Sequence, residues 1–171
     1  MIYCLTALAA GGFYFCSLHP EKNPFPRLVF INTTHSLPDG IYVAIPGKDF
    51  RNGDTVAYLP PDAVQEFVSA RGWNPEGSGM TFVKHAYGPS TQYAARPGED
   101  LQSFIVDYQA SGPVSTTDGK GLPLPQHYGW FSVPEGEFLP VGTDAHSFDG
   151  RYTGTVPQDR ILCRVVPLLT E

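Results

Sequence analysis

A mainly β domain is the fold class this sequence predicts, and three observations carry the prediction. The chain of 171 residues holds 18 glycines and 17 prolines, which break helices and supply turns throughout its length. Segments with a 3.6-residue apolar period are scarce, whereas short runs rich in Val, Ile, Tyr and Phe recur between turn signals. The composition, 42% hydrophobic and 16% charged, belongs to a chain with a packed core. The length fits one domain with room for a small subdomain.

The amino terminus stands apart from that pattern. From Ile2 to Leu18 no residue is charged, and His19, Glu21, Lys22 and Arg27 then follow. As a helix this segment would be about 26 Å long, close to the hydrocarbon thickness of a bilayer. We read residues 1–19 as a membrane anchor or an uncleaved signal segment. Ala7-Leu8-Ala9 resembles a cleavage site, but the basic start of a secretory signal is missing. The competing reading is a buried first helix, which Gly11 and Gly12 would weaken.

The later elements follow in order. A Pro-rich exit (residues 20–27) leads to a strand, Arg27 to Thr33, and a second strand, Gly40 to Ile45, leaves the turn at Pro38-Asp39-Gly40. Asn52-Gly53-Asp54 opens a strand from Thr55 to Leu59. Pro61-Asp62 starts a single helix, Ala63 to Ala70, which Gly72 ends. Met80 to Tyr87 reads as another strand. From 89 to 135 the composition shifts to Gly, Pro, Ser and Thr around a strand at Ser103–Tyr108, with Trp130–Val133 as its return. A structureless loop that long is unusual, so this stretch reads as a small β-rich flap. It is inserted between a first core part (20–88) and a last core part (136–171), where Glu137 to Val141 and the apolar run from Ile161 to Leu168 close the core.

Charge and cysteines exclude several functions. The net charge is −6, with no run of Lys or Arg, which argues against a nucleic-acid partner. Three cysteines make no disulfide framework or metal-ligand spacing. Cys4 and Cys16 would lie about 18 Å apart on a helix, and Cys163 reads as a core residue of the last strand. No cofactor and no metal is implied.

Three polar segments carry candidate chemistry. Ser36, between a histidine and Leu-Pro, sits where a turn could expose a nucleophile. A serine hydroxyl needs an adjacent base. His35 is its neighbour, but in an extended chain consecutive side chains face opposite ways. His85, His127 and His146 lack an Asp at a telling spacing, although a triad assembled in space stays open. Lys84 is the stronger candidate base. It lies in an apolar strand, where desolvation lowers an amine's pKa; the alternative is a lysine reaching solvent from an edge strand. In the third segment Ser147, Asp149 and Arg151 alternate, which in extended conformation puts them on one face.

Taken together these segments resemble the signal peptidase I clan of membrane-bound Ser-Lys proteases, peptidase family S26. Thr34-His-Ser36-Leu-Pro38 matches the family's S-x-S-M-x-P, and Asn52-Gly-Asp-Thr-Val-Ala its G-D-x-V strand. Phe82-Val-Lys84-His-Ala-Tyr-Gly88 matches V-K-R-V-x-G, and the segment from Gly142 to Gly154 matches G-D-N-x-x-S-x-D-S-R-x-x-G. Two departures stand out. Gly142-Thr143-Asp144 replaces Gly-Asp-Asn, and the Gly-x-Pro-Gly-Asp that often follows the base block is only Gly88-Pro89-Ser90, or is displaced to residues 96–100. The form running from Asn32 to Tyr42 is most similar to the TraF-type peptidases that mature conjugative pilins, some of which also join the pilin's ends. The resemblance implies an antiparallel β core and an endopeptidase with Ser36 as nucleophile and Lys84 as base. It implies an oxyanion hole at Thr34 and the Ser36 N–H, with Ser147, Asp149 and Arg151 in support. The implied partners are a pilin or preprotein bound as an extended strand and the bacterial inner membrane, with the catalytic part on the periplasmic side. A general signal peptidase and an inactive, membrane-anchored pilus assembly factor are the alternatives. A self-cleaving repressor module would want a DNA-binding domain and an Ala-Gly cleavage site in place of the apolar start.

Overall fold

The computed structural model describes residues 28–73 and 80–171; the expected anchor, Cys4, Cys16 and the Pro-rich exit lie outside them. In chain order the elements are β1 (Val29–Asn32), β2 (Gly40–Ile45), β3 (Thr55–Tyr58), helix α1 (Asp62–Ala70), β4 (Phe82–Tyr87), β5 (Gln92–Ala95), β6 (Phe104–Val106), β7 (Gln109–Gly112), β8 (Gly129–Ser132), β9 (Glu137–Val141), the short helix α2 (Gly150–Thr153), β10 (Val156–Pro157) and β11 (Ile161–Thr170). A 3₁₀ turn, Gln158–Arg160, precedes the last strand. Among the described residues no helix is long and apolar enough to cross a membrane.

The strands form two sheets, a seven-stranded one in the order β1-β2-β11-β3-β4-β9-β10 and a four-stranded one in the order β7-β6-β5-β8. Every pairing between them is antiparallel. The mainly β class and the antiparallel core expected from the turn-rich sequence are therefore what the chain adopts. The short strand Phe30-Ile31 alternates buried and exposed residues, as a half-covered sheet requires. The inner face of β1, β2 and β11 carries Phe30, Tyr42 and Val165, with Cys163 half-buried beside them. A second cluster joins Val56, Tyr58, Ala86, Phe138 and Ile161. A third, around Tyr93, Phe104, Leu139 and Tyr152, packs the smaller sheet onto β9.

The outer face of β1, β2 and β11 is different. Two cross-strand rows, Val29–Val43–Val166 and Ile31–Ile41–Leu169, lie side by side on it, and Ile31 is 72% and Leu169 69% exposed.

Two local expectations are corrected. The run from Ser103 to Tyr108 is not one strand, because the chain reverses after Val106. Asp107 (φ 46°) and Tyr108 (φ 64°) form a two-residue hairpin turn of the kind that needs positive φ at both positions. Neither position is a glycine, so the usual signal of such a turn is missing; Asp107 holds it by accepting from the Gln92 N–H at 2.9 Å. The segment Ser147–Arg151 is not extended either. Asp149 caps α2 by accepting from the Arg151 N–H, so the chain turns into a helix two residues after Ser147.

Candidate active site

The nucleophile candidate sits in the loop joining β1 to β2. Asn32, the last residue of β1, is buried, and its amide donates to the carbonyls of Leu37 (2.9 Å) and Pro38 (3.3 Å). Tyr42 on β2 donates to the Pro38 carbonyl from the other side, at 2.8 Å. The loop is thereby folded tightly, and His35 within it takes φ 53°. This corrects the extended reading of the segment. His35 is a left-handed turn residue whose ring is 80% exposed and pairs with Asp39 at 2.6 Å. The same turn brings the Thr34 hydroxyl to 2.9 Å from that of Ser36, a proximity made by the bend and not by strand alternation. Ser36 is 4% exposed, and among the described residues its N–H has no hydrogen-bond partner.

Lys84 lies on β4, between β3 and β9 in the middle of the large sheet. It is 4% exposed, so its head does not reach solvent from an edge. The amine donates to Ser147 Oγ at 3.0 Å and lies 5.9 Å from the centre of the Phe82 ring. No carboxylate forms an ion pair with it among the described residues. Burial brings its pKa down from 10.5 to about 8; Asp149 and Asp144 pull the other way, and Arg151 pushes it further down.

Around this lysine the segment 142–151 is closed by one ion pair. Arg151 and Asp149 are both fully buried, and two bonds join them: Nε to Oδ1 at 2.9 Å and Nη2 to Oδ2 at 3.1 Å. The guanidinium also donates to the carbonyls of Pro113 and Ala145 at 3.0 and 3.1 Å, and more weakly to those of Gly142 and Asp144. Asp149 in turn accepts from the Gly142 N–H at 2.7 Å. Arg151 thus ties the segment after β7, at Pro113, to the loop that holds Ser147. Phe148 in the same loop stacks on Phe67 of α1 at 5.3 Å and on Tyr152 at 5.6 Å.

The two halves meet at Gly142 and Thr143. The Ser36 carbonyl accepts from the Thr143 N–H at 2.8 Å and from its hydroxyl at 3.5 Å. A Cβ at Gly142 would stand 2.0 Å from Ser147 Oγ and 2.8 Å from the Ser36 oxygen, so only glycine lets the serine loop and the Ser147 loop approach this closely. Ser36 and Lys84 are not hydrogen-bonded to each other; the serine is engaged by Thr34 and the lysine by Ser147. His85 contacts Thr55, His127 contacts Tyr93, and among the described residues no histidine side chain bonds Ser36.

All six residues singled out in the sequence thus fall in one connected region. Asn32, Gly142 and Thr143 were missed. Thr143 occupies the place where the aligned block has an aspartate, so the departure itself was the signal; Asn32 was visible only as part of a block and carried no chemistry of its own.

A buried lysine of lowered pKa and, in the same connected region, a serine whose N–H has no partner among the described residues are the groups that serine acyl-transfer chemistry with an amine base uses. Comparison with known families agrees. The family model described as signal peptidase, peptidase S26, matches residues 25–169, nearly all of the chain. No curated protein matches closely enough to be named as a relative. With a match of that extent across the whole described fold, the chain belongs to the signal peptidase family, peptidase S26, and is a serine peptidase.

Proposed function

We propose that the chain is a Ser-Lys endopeptidase that removes the leader of an exported protein, most specifically a conjugative pilin precursor. The observation that carries this reading is Lys84. A buried lysine without an ion pair among the described residues, its pKa lowered to about 8 and its amine bonded to Ser147, is poised to accept a proton near neutral pH. In the mechanism, neutral Lys84 takes the Ser36 proton as Oγ bonds to the substrate carbonyl carbon. The electron pair moves onto the oxygen, which the Ser36 N–H and the Thr34 hydroxyl receive. The protonated lysine then gives its proton to the departing amine, leaving an acyl-enzyme. Water or a second amine resolves it, the latter closing a ring. Ser147 keeps the Lys84 amine in place, and Asp149 with Arg151 keeps Ser147 in place.

Substrate and setting follow from the same geometry. A peptidase of this family acts on a protein substrate, and β1 runs directly into the Ser36 loop, which supports a substrate presented to the serine as an extended chain. The two exposed apolar rows on β1, β2 and β11 suit a membrane surface, and the apolar run from Ile2 to Leu18 precedes that face in the sequence. This supports an inner-membrane enzyme working on the periplasmic side. The likeness of the Asn32–Tyr42 block to the TraF-type enzymes supports the pilin, because Asn32, Pro38 and Tyr42 of that block form one bonded unit around the serine.

The test is mass spectrometry of a pilin precursor co-expressed with the enzyme. Ser36→Ala and Lys84→Ala should each stop processing with the fold intact, and the double variant should be no worse than either. A product one water lighter than the cleaved pilin identifies ring closure. Lys84→Ala activity within about tenfold of wild type would reject the lysine base, since losing a general base costs 10²-fold or more. Unselective cleavage of a panel of preproteins would make it a general signal peptidase.

A further inference from the structure

The amide of Asn32 does more than fold the serine loop. Its Nδ2 is fixed by two carbonyls, those of Leu37 and Pro38, so Oδ1 is the atom 3.0 Å from the Thr34 hydroxyl, and an amide oxygen can only accept. A hydroxyl has one proton, which Thr34 therefore directs at Asn32. Its lone pair is left for Ser36, 2.9 Å away, and Ser36 must be the donor in that contact. Donation runs from Ser36 to Thr34 to Asn32, while the lysine amine is turned to Ser147.

We propose that Asn32 is a positioning residue for catalysis: it holds the Thr34 hydroxyl beside Ser36 and accepts its proton until the oxygen of the scissile carbonyl replaces it. The proposal rests on the roles of Ser36, Lys84 and Thr34 given above. As the carbonyl arrives, the Thr34 proton turns from Asn32 to the substrate oxygen, and the Ser36 proton, no longer held by a polarised Thr34 chain, passes to Lys84. The Oγ–carbon bond forms, the π pair becomes the oxyanion, and Thr34 donates to it. When the product leaves, the Thr34 proton returns to Asn32. Resting serine and active serine thus differ by one exchange of acceptor.

A double-mutant cycle tests this, using the full-length enzyme in detergent and a quenched fluorescent peptide with an Ala-x-Ala site. Asn32→Ala should lower kcat about tenfold with little change in KM, and in the Thr34→Val background the same substitution should cost about threefold or less. Asn32→Asp has the same shape and keeps the acceptor while losing both donors. Its kcat should therefore stay within about threefold of wild type; a fall of about tenfold or more at unchanged Tm would show that the bonds to Leu37 and Pro38 are what matter and overturn the proposal, even should Asn32→Ala fail to fold. Equal losses in both backgrounds, a loss confined to KM, or a fall in kcat that only follows Tm would reduce Asn32 to a loop strap and overturn the proposal. A Ser36→Ala enzyme that still cleaves would instead overturn the dyad; additivity with Ser36 and Lys84 both essential removes only the role of Asn32.

Discussion

The serine side and the lysine side of the site are built in opposite ways. Around Lys84 the wall is densely bonded: Ser147 accepts from the amine, Asp149 has four donors on its two oxygens, and the Arg151 guanidinium reaches one carboxylate and four carbonyls. Ser36 is held in place through its carbonyl, but its reacting groups are open, with one exchangeable hydroxyl contact, an N–H that has no partner among the described residues and a left-handed residue in front. The difference follows from what each side must do. A base works at neutral pH only if its desolvation is permanent, and that requires a rigid wall. A nucleophile has to exchange partners during each turnover, and a saturated network would oppose that.

The sharpest way to break this contrast is to open the lysine side. Arg151→Met removes the cation and leaves the Asp149 carboxylate fully buried with only backbone donors. Breaking a buried pair in this way costs about 3–5 kcal/mol, a Tm loss of roughly 10 °C for a chain of this size. Arg151→Lys should recover little of it, because an ammonium cannot reproduce the planar fork. Thermal unfolding followed by circular dichroism reads both. A Tm within a few degrees of wild type for Arg151→Met would mean the wall does not depend on the ion pair.

How much of this was legible in the sequence divides along the same line. Strands with pattern and turn residues, such as Gly40–Ile45 and Glu137–Val141, were read within a residue or not at all displaced, because alternation and glycine speak locally. Lys84 was legible because a lysine among Phe, Val, Ala and Tyr is costly without a purpose. The hairpin at Asp107-Tyr108 was not, since its turn is held by a contact with Gln92, 15 residues away. Asp149 and Arg151 were seen as bracing residues, but by the wrong geometry: they meet through a helix cap and not on a strand face. Asn32 and Thr143 act through bonds to carbonyls, and a backbone carbonyl leaves no trace in sequence.

Lys84→Met sharpens the contrast from within. The lysine is lowered from 10.5 to about 8, so its burial opposes folding by roughly 3 kcal/mol wherever both states are protonated. That penalty is fully present below about pH 8. Between pH 8 and 10.5 the unfolded chain binds more protons than the folded one, so wild-type stability rises with pH across that window. Met removes the penalty and loses only the bond to Ser147, worth about 1 kcal/mol. The variant should be inactive, at least as stable as wild type at pH 7, and progressively without that advantage as the pH approaches 10.5. Wild-type activity should climb along a limb near pH 8, because only the neutral amine accepts the serine proton. Earlier unfolding of Lys84→Met at pH 7 would show a charged, paired lysine and a structural role.

The smallest effect is expected on the serine side, at His35. Its φ of 53° strains a residue with a Cβ by about 1 kcal/mol, which glycine would relieve. Against that, His35→Gly loses the exposed ring's pairing with Asp39, worth no more than about 1 kcal/mol at a surface, and gains freedom in the unfolded chain at a similar cost. The bond from the backbone N–H of residue 35 to Asp39 needs no side chain and survives. The Tm should therefore move by only a few degrees. Because Asn32, Tyr42 and Thr143 hold the loop independently of the imidazole, kcat should stay within about threefold of wild type, as for a surface substitution away from the chemistry. A much larger fall in kcat at unchanged Tm would place the imidazole in the chemistry, and the serine side would then have a second candidate base of its own.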